Sequence, residues 1–344
     1  MKEIETKDAV GHILCHDITQ IIKDKKKDAA FRKGHVITKE DIPVLLSLGK
    51  DHIYVWEYEE GILHENEAAE ILYKMCCNEY MEASEAKEGK IEIRTTIDGL
   101  FKIREKQLLQ VNSQGEMMIA CRHNYTRVKR GEVLAGTRII PLTIKKEKMD
   151  RAKEAAGEQP LLSVLPFRHK RVGIVTTGNE VFHGRIKDTF SPVILEKMKE
   201  FPSEILGQTT VGDDKEIIKN EILKFIDNGA DLVICTGGMS VDPDDRTPGA
   251  IYDTGAEIIS YGAPVLPGAM MLLAYYQKND QTQIPILGLP GCVMYSKRTI
   301  FDILLPRIMA DDRISREEIG RLGIGGLCLH CETCTFPNCG FGKI

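Results

Sequence analysis

Near residue 170 the spacing of apolar positions along the chain changes. From there on, short apolar runs alternate with helical periodicity. Arg171–Gly178 (RVGIVTTG) reads as a strand entering a glycine turn, 192–201 as a helix, and Ser203–Val211 as a second strand. Asp213–Asn228 has the spacing of an amphipathic helix, with Ile217, Ile218, Ile222, Leu223 and Ile226 on its inner face. A strand over 231–236 comes next. It is followed by a helix with Thr247 as N-cap and Pro248 at its first position, then the apolar run Ile284–Gly291, then a closing helix over Val293–Met309. Strands alternating with helices predict βαβ units. The expected fold class is α/β: a mostly parallel sheet covered on both faces, in three layers, over residues 160–312.

Upstream the pattern is mixed. Gly34–Gly49 reads as a loop, a capped helix and a glycine stop, and His52–Trp56 as a strand. Residues 63–88 carry helical spacing, with Ile71, Leu72 and Met75 on one side. Residues 91–142 show β-branched alternation broken at Asp98-Gly99, Gln114-Gly115 and Arg130-Gly131, and Lys145–Gly157 reads as a connecting helix. Residues 1–150 are therefore expected to form an accessory β-rich, α+β region. The glycines of Ile319–Gly326 predict a flexible lead into a cysteine-rich tail, 327–344.

Composition narrows the function classes. The 344 residues predict two or three domains, and 42% hydrophobic with 28% charged residues is ordinary for a globular chain. A net charge of −5 argues against nucleic-acid binding. No apolar run reaches the ~20 residues that cross a bilayer, so no membrane is expected. The opening residues lack the apolar core of a signal peptide, and the expected location is the cytoplasm. In that reducing setting, clusters among the ten cysteines point to metal ligation before disulfides.

The sharpest chemistry lies in Asp231–Gly249. A buried strand ends in Gly237-Gly238, and Asp242, Asp244 and Asp245 follow before the helix start. Glycines let an anion approach main-chain N–H groups, and a helix N-terminus favours negative charge. Carboxylates repel a bare phosphate, so the combination implies a divalent cation between them. Other turns at strand ends join the set: Thr177-Gly178-Asn179-Glu180 with Asp188 before the next helix, Pro267-Gly268, and Pro290-Gly291. In parallel sheets ligands bind beyond the carboxyl ends of the strands, which predicts one shared site.

In this order, these turns resemble the molybdopterin-binding domain family, which includes pterin adenylyltransferases, molybdopterin molybdenumtransferases and gephyrin-like proteins. The resemblance covers about 140 residues. Thr177-Gly178-Asn179-Glu180 is similar to the family's Thr-Gly-Asp/Asn-Glu turn, Asp188 to the start of its Asp-Ser-Asn segment, and Gly237-Gly238 with Asp245 to its Gly-Gly loop and metal-linked Asp. Arg246-Thr247-Pro248 is similar to the adenylyltransferase branch, and Gly288–Gly291 to the Leu-Pro-Gly turn. Gly11–Ile18 and Phe31–Val55 resemble accessory segments of the molybdenumtransferases. The departures are specific. The Ser-Ala-Met-Asp-Gly-Tyr-Ala segment is not found, Pro-Gly-Lys-Pro becomes Pro267-Gly268-Ala269-Met270, and Leu-Pro-Gly-Asn-Pro becomes Leu289–Val293.

The resemblance implies molybdopterin as ligand or substrate. Its phosphate would rest on the glycine turns and on the hydroxyls of Thr177 and Ser240. Mg²⁺ would be held by Asp245, the implied catalytic carboxylate, with Asp242 or Asp188, and molybdate would be inserted at the pterin. Two functions follow. One is a molybdenumtransferase-like enzyme acting on the pterin adenylate. The other is a non-catalytic carrier that delivers the cofactor to a molybdoenzyme or to another cofactor-biosynthesis protein. A homo-oligomer is also implied.

The tail carries the second cluster. Cys328-x2-Cys331-x2-Cys334-x4-Cys339 packs four thiols into twelve residues. The run approaches bacterial ferredoxin spacing, and a four-thiolate zinc site fits it too, so an Fe–S cluster and zinc both stand. Cys15, Cys76, Cys77, Cys121, Cys235 and Cys292 are scattered and read as small buried or half-buried hydrophobes.

Overall fold

The computed structural model describes residues 2–22, 26–56, 60–279 and 282–343. It divides into two compact units: residues 1–96, 103–122 and 131–163 form one, and 97–102, 123–130 and 164–344 the other.

In the first unit, antiparallel strands Lys2–Glu5 and His52–Val55 pair beside the helix Asp41–Ser47, over a core of Leu14, Ile18, Ile37, Leu45, Ile53 and Val55. A four-stranded antiparallel sheet runs Met81–Ala83, Lys90–Thr95, Val133–Ile139, Met117–Cys121. The helix expected over 63–88 is shorter, Glu65–Cys76. His64 caps it, its ring nitrogen accepting the Asn66 N–H while Glu67 takes the His64 N–H, and the chain turns extended at Cys77. The region 91–142 also holds a helix, Glu105–Asn112, which β-branched alternation did not signal. The connecting helix is Lys146–Ala156, ended by Gly157 at φ 73°.

The second unit is built on a six-stranded sheet in the order Ser203–Val211, Lys170–Thr177, Leu232–Thr236, Thr282–Leu289, Leu272–Asn279, Glu257–Tyr261. The first four strands are parallel, and the last two add an antiparallel hairpin at one edge. The central strand Leu232–Thr236 is buried on both faces, as a continuous apolar run requires. One face packs Ile174, Ile234 and Leu287 against Ile194, Met198, Phe301 and Leu304. The other packs Val175, Val233 and Cys235 against Ile218, Ile222 and Ile251. Helices thus cover both faces in three layers, the α/β class expected.

Three local expectations give way. On the helix Lys215–Asp227 only Ile218, Ile222 and Ile226 are buried. Ile217 is half exposed, because it lies about 100° round the axis from that stripe. The closing helix starts at Ile300 rather than Val293: Gly291–Met294 is a single 3₁₀ turn, and Thr299 with Asp302 forms the capping box that opens Ile300–Met309. The stretch 319–326 is not a free lead. Arg316–Arg321 is helical behind a Ser315–Glu318 capping box, and the Leu266 N–H donates to Gly326 O at 2.8 Å.

Candidate functional site

The carboxyl ends of two parallel strands, the turns beyond them, and the turn that leads into the antiparallel strand Leu272–Asn279 border one cavity of about 690 Å³. The strand Leu232–Thr236 contributes Gly237, Gly238, Met239, Ser240 and Asp245. The strand Thr282–Leu289 contributes Leu289, Pro290, Gly291 and Cys292, and the turn before Leu272 adds Leu266–Met270. Phe190, Met294, Tyr295 and Ser296 complete the wall, with His330 from the tail.

Local backbone explains why glycine stands in these turns. Gly237 has φ 84°, and a Cβ there would fall 2.1 Å from the Thr177 carbonyl oxygen. Gly268 has φ 133°, and a Cβ would fall 2.4 Å from Ile300 Cγ2. Each turn passes too close to its neighbour for a side chain.

Of the residues expected at the site, the structure gathers Gly237, Gly238, Ser240, Asp245, Pro267, Gly268, Pro290 and Gly291 around the cavity. It places Thr177, Gly178, Asn179, Glu180, Asp188, Asp242 and Thr247 outside that lining. Thr247 is the first residue of the helix Thr247–Asp253 and not its N-cap. Its buried hydroxyl pairs with the Thr177 hydroxyl at 3.0 Å and leaves its own helix end uncapped. That contact sits directly under Gly238, whose missing Cβ would meet both hydroxyl oxygens at 3.0–3.2 Å.

Asp188 opens the helix Phe190–Met198. Its carboxylate accepts the Phe190 N–H at 2.8 Å, the Ser191 N–H at 3.2 Å and the Ser191 hydroxyl, which fixes Phe190 in the cavity wall. Ser191 continues a buried hydroxyl row to Thr176 and Thr236 beneath the strand ends. Asn179 and Asp213 lock each other: the Asn179 N–H donates to Asp213 Oδ2 at 2.9 Å, and the Asp213 N–H to Asn179 Oδ1 at 3.3 Å. Glu180 is exposed, its carboxylate oxygens 3.1–3.2 Å from where a Gly178 Cβ would stand.

The acidic loop is a tight turn. The Asp245 N–H donates to Asp242 O at 2.9 Å, and the Asp242 N–H donates to Asp245 Oδ2 at 3.1 Å. Asp245 is half-buried; Asp242 and Asp244 are exposed. Among the described residues no three His, Cys, Asp or Glu side chains come together as a metal-holding group, so Asp245, Asp242 and Asp188 do not form a cage.

Several functional positions carried no sequence signal. The Tyr261 hydroxyl donates to Met239 O and Ser240 O, both at 3.1 Å, and so ties the edge hairpin to the Gly-Gly loop. Burial, and then the Asp245 carboxylate, push the Tyr261 phenol above its usual range. Cys292 reaches the cavity as a half-buried thiol, and burial raises its pKa, so it is neutral at pH 7. Cys235 is wholly buried, its thiol pushed up to about 12 by burial.

Residues 173–310 match the family described as "Probable molybdopterin binding domain", and residues 3–57 match a domain of unknown function. The match covers 138 of the 344 residues. A molybdopterin molybdenumtransferase of Synechococcus elongatus is 27% identical over 183 residues, 51% of this chain and 42% of the relative. Another, from Nostoc sp., is 29% identical over 175 residues, 48% of this chain and 39% of the relative. A CinA-like protein of Mycobacterium avium is 36% identical over 77 residues, 22% of this chain and 18% of its own length. The matched part of the chain thus spans less than half the length of these relatives. Among solved structures, the molybdopterin biosynthesis enzyme MoaB from Thermus thermophilus is 24% identical with a TM-score of 0.32, over 40% of this chain and 91% of its own. The tungsten cofactor synthesizing protein MoaB from Pyrococcus furiosus is 18% identical with a TM-score of 0.36, over 43% and 99%. No described helix is long and apolar enough to cross a membrane.

Proposed function

We propose that this chain, whose residues 173–310 match the molybdopterin-binding domain family, serves in molybdenum cofactor biosynthesis by binding molybdopterin or its adenylate in the 690 Å³ cavity. The observation that carries the reading is the convergence of three glycine-bearing turns and Asp245 on that one cavity. The volume is in the range of small-molecule sites. The pterin's phosphate lies against Gly237-Gly238 and the Ser240 hydroxyl, where the absence of side chains lets main-chain groups approach an anion. The apolar wall of Leu266, Met270, Met294 and Tyr295 excludes water from the ring system.

The acidic turn fits Mg²⁺. That ion takes one or two carboxylates and completes its shell with waters and substrate phosphate, so a three-carboxylate cage is not required. Asp245 would hold it from the cavity wall, with Asp242 in the same turn. When bound, the ion supplies charge neutralisation at phosphate oxygens during cleavage of the adenylate. The chain's own part is to orient the phosphate, and Tyr261 keeps the loop in place for this. Molybdate is the second substrate on this reading.

One observation favours a carrier instead. Among the described residues lining the cavity none is Lys or Arg, and Ala269 and Met270 stand where a cationic anchor would be. The two readings separate when the full chain is incubated with adenylated molybdopterin, molybdate and Mg²⁺. Release of AMP with repeated turnover supports the enzyme. Tight pterin binding without AMP release removes it and leaves the carrier, whose partner is then the molybdoenzyme that receives the cofactor.

A further inference from the structure

The tail loop carries chemistry that the pterin reading does not use. Its base is closed by main-chain hydrogen bonds: the Cys328 N–H donates to Leu266 O at 2.8 Å, and the Gly342 N–H donates to Gly325 O at 2.9 Å. Phe341 is buried in the core of the second unit, and Cys328 and Cys339 pack half-buried against that same core. Both limbs of the loop are therefore anchored at one place. Between them residues 329–335 are exposed without exception, Leu329 at 77%. This arc has no core of its own, yet it carries Cys331 and Cys334, both exposed and both free thiols. His330, at φ 51°, lies between two of the cysteines and lines the cavity.

We propose that Cys328, Cys331, Cys334 and Cys339 ligate a metal centre at the rim of the cavity. Because residues 325 and 342 are already bonded, the entropy of closing the loop has been met by packing, and only the arc 329–335 needs to fold inward. Among the described residues no three of the thiols stand ready-made around one point, so the metal itself draws Cys331 and Cys334 onto the Cys328–Cys339 base. Soft thiolates select zinc or iron–sulfur chemistry over Mg²⁺. Each thiol releases one proton to solvent as it binds. Zinc loading involves no electron transfer. A cluster assembled from two ferrous ions, two ferric ions and four sulfides balances without an external oxidant. The centre is independent of what the cavity holds.

The test uses the full chain purified without oxygen, then incubated with Zn²⁺, or with ferrous and ferric iron in equal amounts plus sulfide, and desalted. Retention of about one Zn, or about four Fe with four acid-labile sulfides, per chain supports the proposal and says which metal it is. Because Cys331 and Cys334 are exposed, a Cys331→Ser/Cys334→Ser variant keeps its fold by circular dichroism and melting, and it is expected to lose the metal. Retention below roughly a tenth of a metal per chain in the wild type overturns the proposal, as does equal retention in the variant. The readout contains no pterin, so its failure is distinct from failure of the cavity reading.

Discussion

Thr177 and Thr247, seventy residues apart, share a buried hydroxyl–hydroxyl hydrogen bond of 3.0 Å beneath Gly238. It joins the end of one parallel strand to the start of the helix Thr247–Asp253, and the Gly-Gly loop rests on the pair. Neither hydroxyl lines the cavity, yet together they set the floor of the loop that does.

Replacing one partner leaves the other buried and unpaired. Thr177→Val and Thr247→Val are each expected to cost roughly 1–3 kcal/mol, and the double variant less than their sum. Urea unfolding of the four proteins checks this. Strict additivity would show that the contact carries no coupling.

Tyr261→Phe removes the hydroxyl that ties the hairpin to Met239 and Ser240 while keeping the ring. The expected loss is about 1 kcal/mol of pterin binding, roughly fivefold in Kd, with the melting temperature nearly unchanged. Equilibrium titration and a thermal melt together read it.

Glu318 gives a pH dependence. Burial opposes its ionisation. The Ser315 N–H and then the Arg307 guanidinium outweigh that and, helped by the Tyr125 hydroxyl, hold its pKa down to about 2. The folded value lies below the unfolded one, so the contribution is full above the ordinary carboxylate range near ~4.3 and fades as pH falls towards 2. Glu318→Gln is expected to be less stable than wild type at pH 7 and to converge with it on acidification. Denaturation midpoints across pH 2–7 measure the convergence.

On the proposed reading Asp245 would hold Mg²⁺. Asp245→Asn retains an oxygen able to accept the Asp242 N–H, so the turn survives, but the charge is gone. Mg²⁺-dependent strengthening of pterin-adenylate binding is expected to fall by about tenfold or more, the scale of one charged contact. Binding measured with EDTA should change little. An unchanged Mg²⁺ response would assign the ion elsewhere.

Much of the second unit was readable because its local signals agree. Ser203–Val211 and the Asp213–Asn228 helix emerge where β-branched alternation, an Asp cap and a three-to-four spacing of isoleucines coincide. The hairpin Glu257–Tyr261 and Leu272–Asn279 escaped because its apolar run, Met270–Tyr276, has no alternation and its pairing is set by the sheet edge. The closing helix starts seven residues later than the apolar pattern implies, because Val293 lies in a separate 3₁₀ turn and the Thr299–Asp302 capping box sets the helix start. At the site the glycine turns were legible because glycines close the strand-end runs, and at Gly237 and Gly268 they mark close approaches of the backbone. Tyr261, Phe190 and His330 were not, because only the assembled fold brings their distant segments to the cavity.

Gly291 allows the most direct test of the cavity. It lines the site, and a Cβ added there meets nothing within 4 Å, so Gly291→Leu is expected to add bulk at the cavity with the fold retained. The measurement is an equilibrium titration of wild type and variant with adenylated molybdopterin, with melting curves as the control for folding. Saturable binding is expected for the wild type, and at least tenfold weaker binding, about 1.4 kcal/mol, for a variant that melts at the same temperature. Equal affinity in the two proteins, or no binding by the wild type, would contradict the cavity reading.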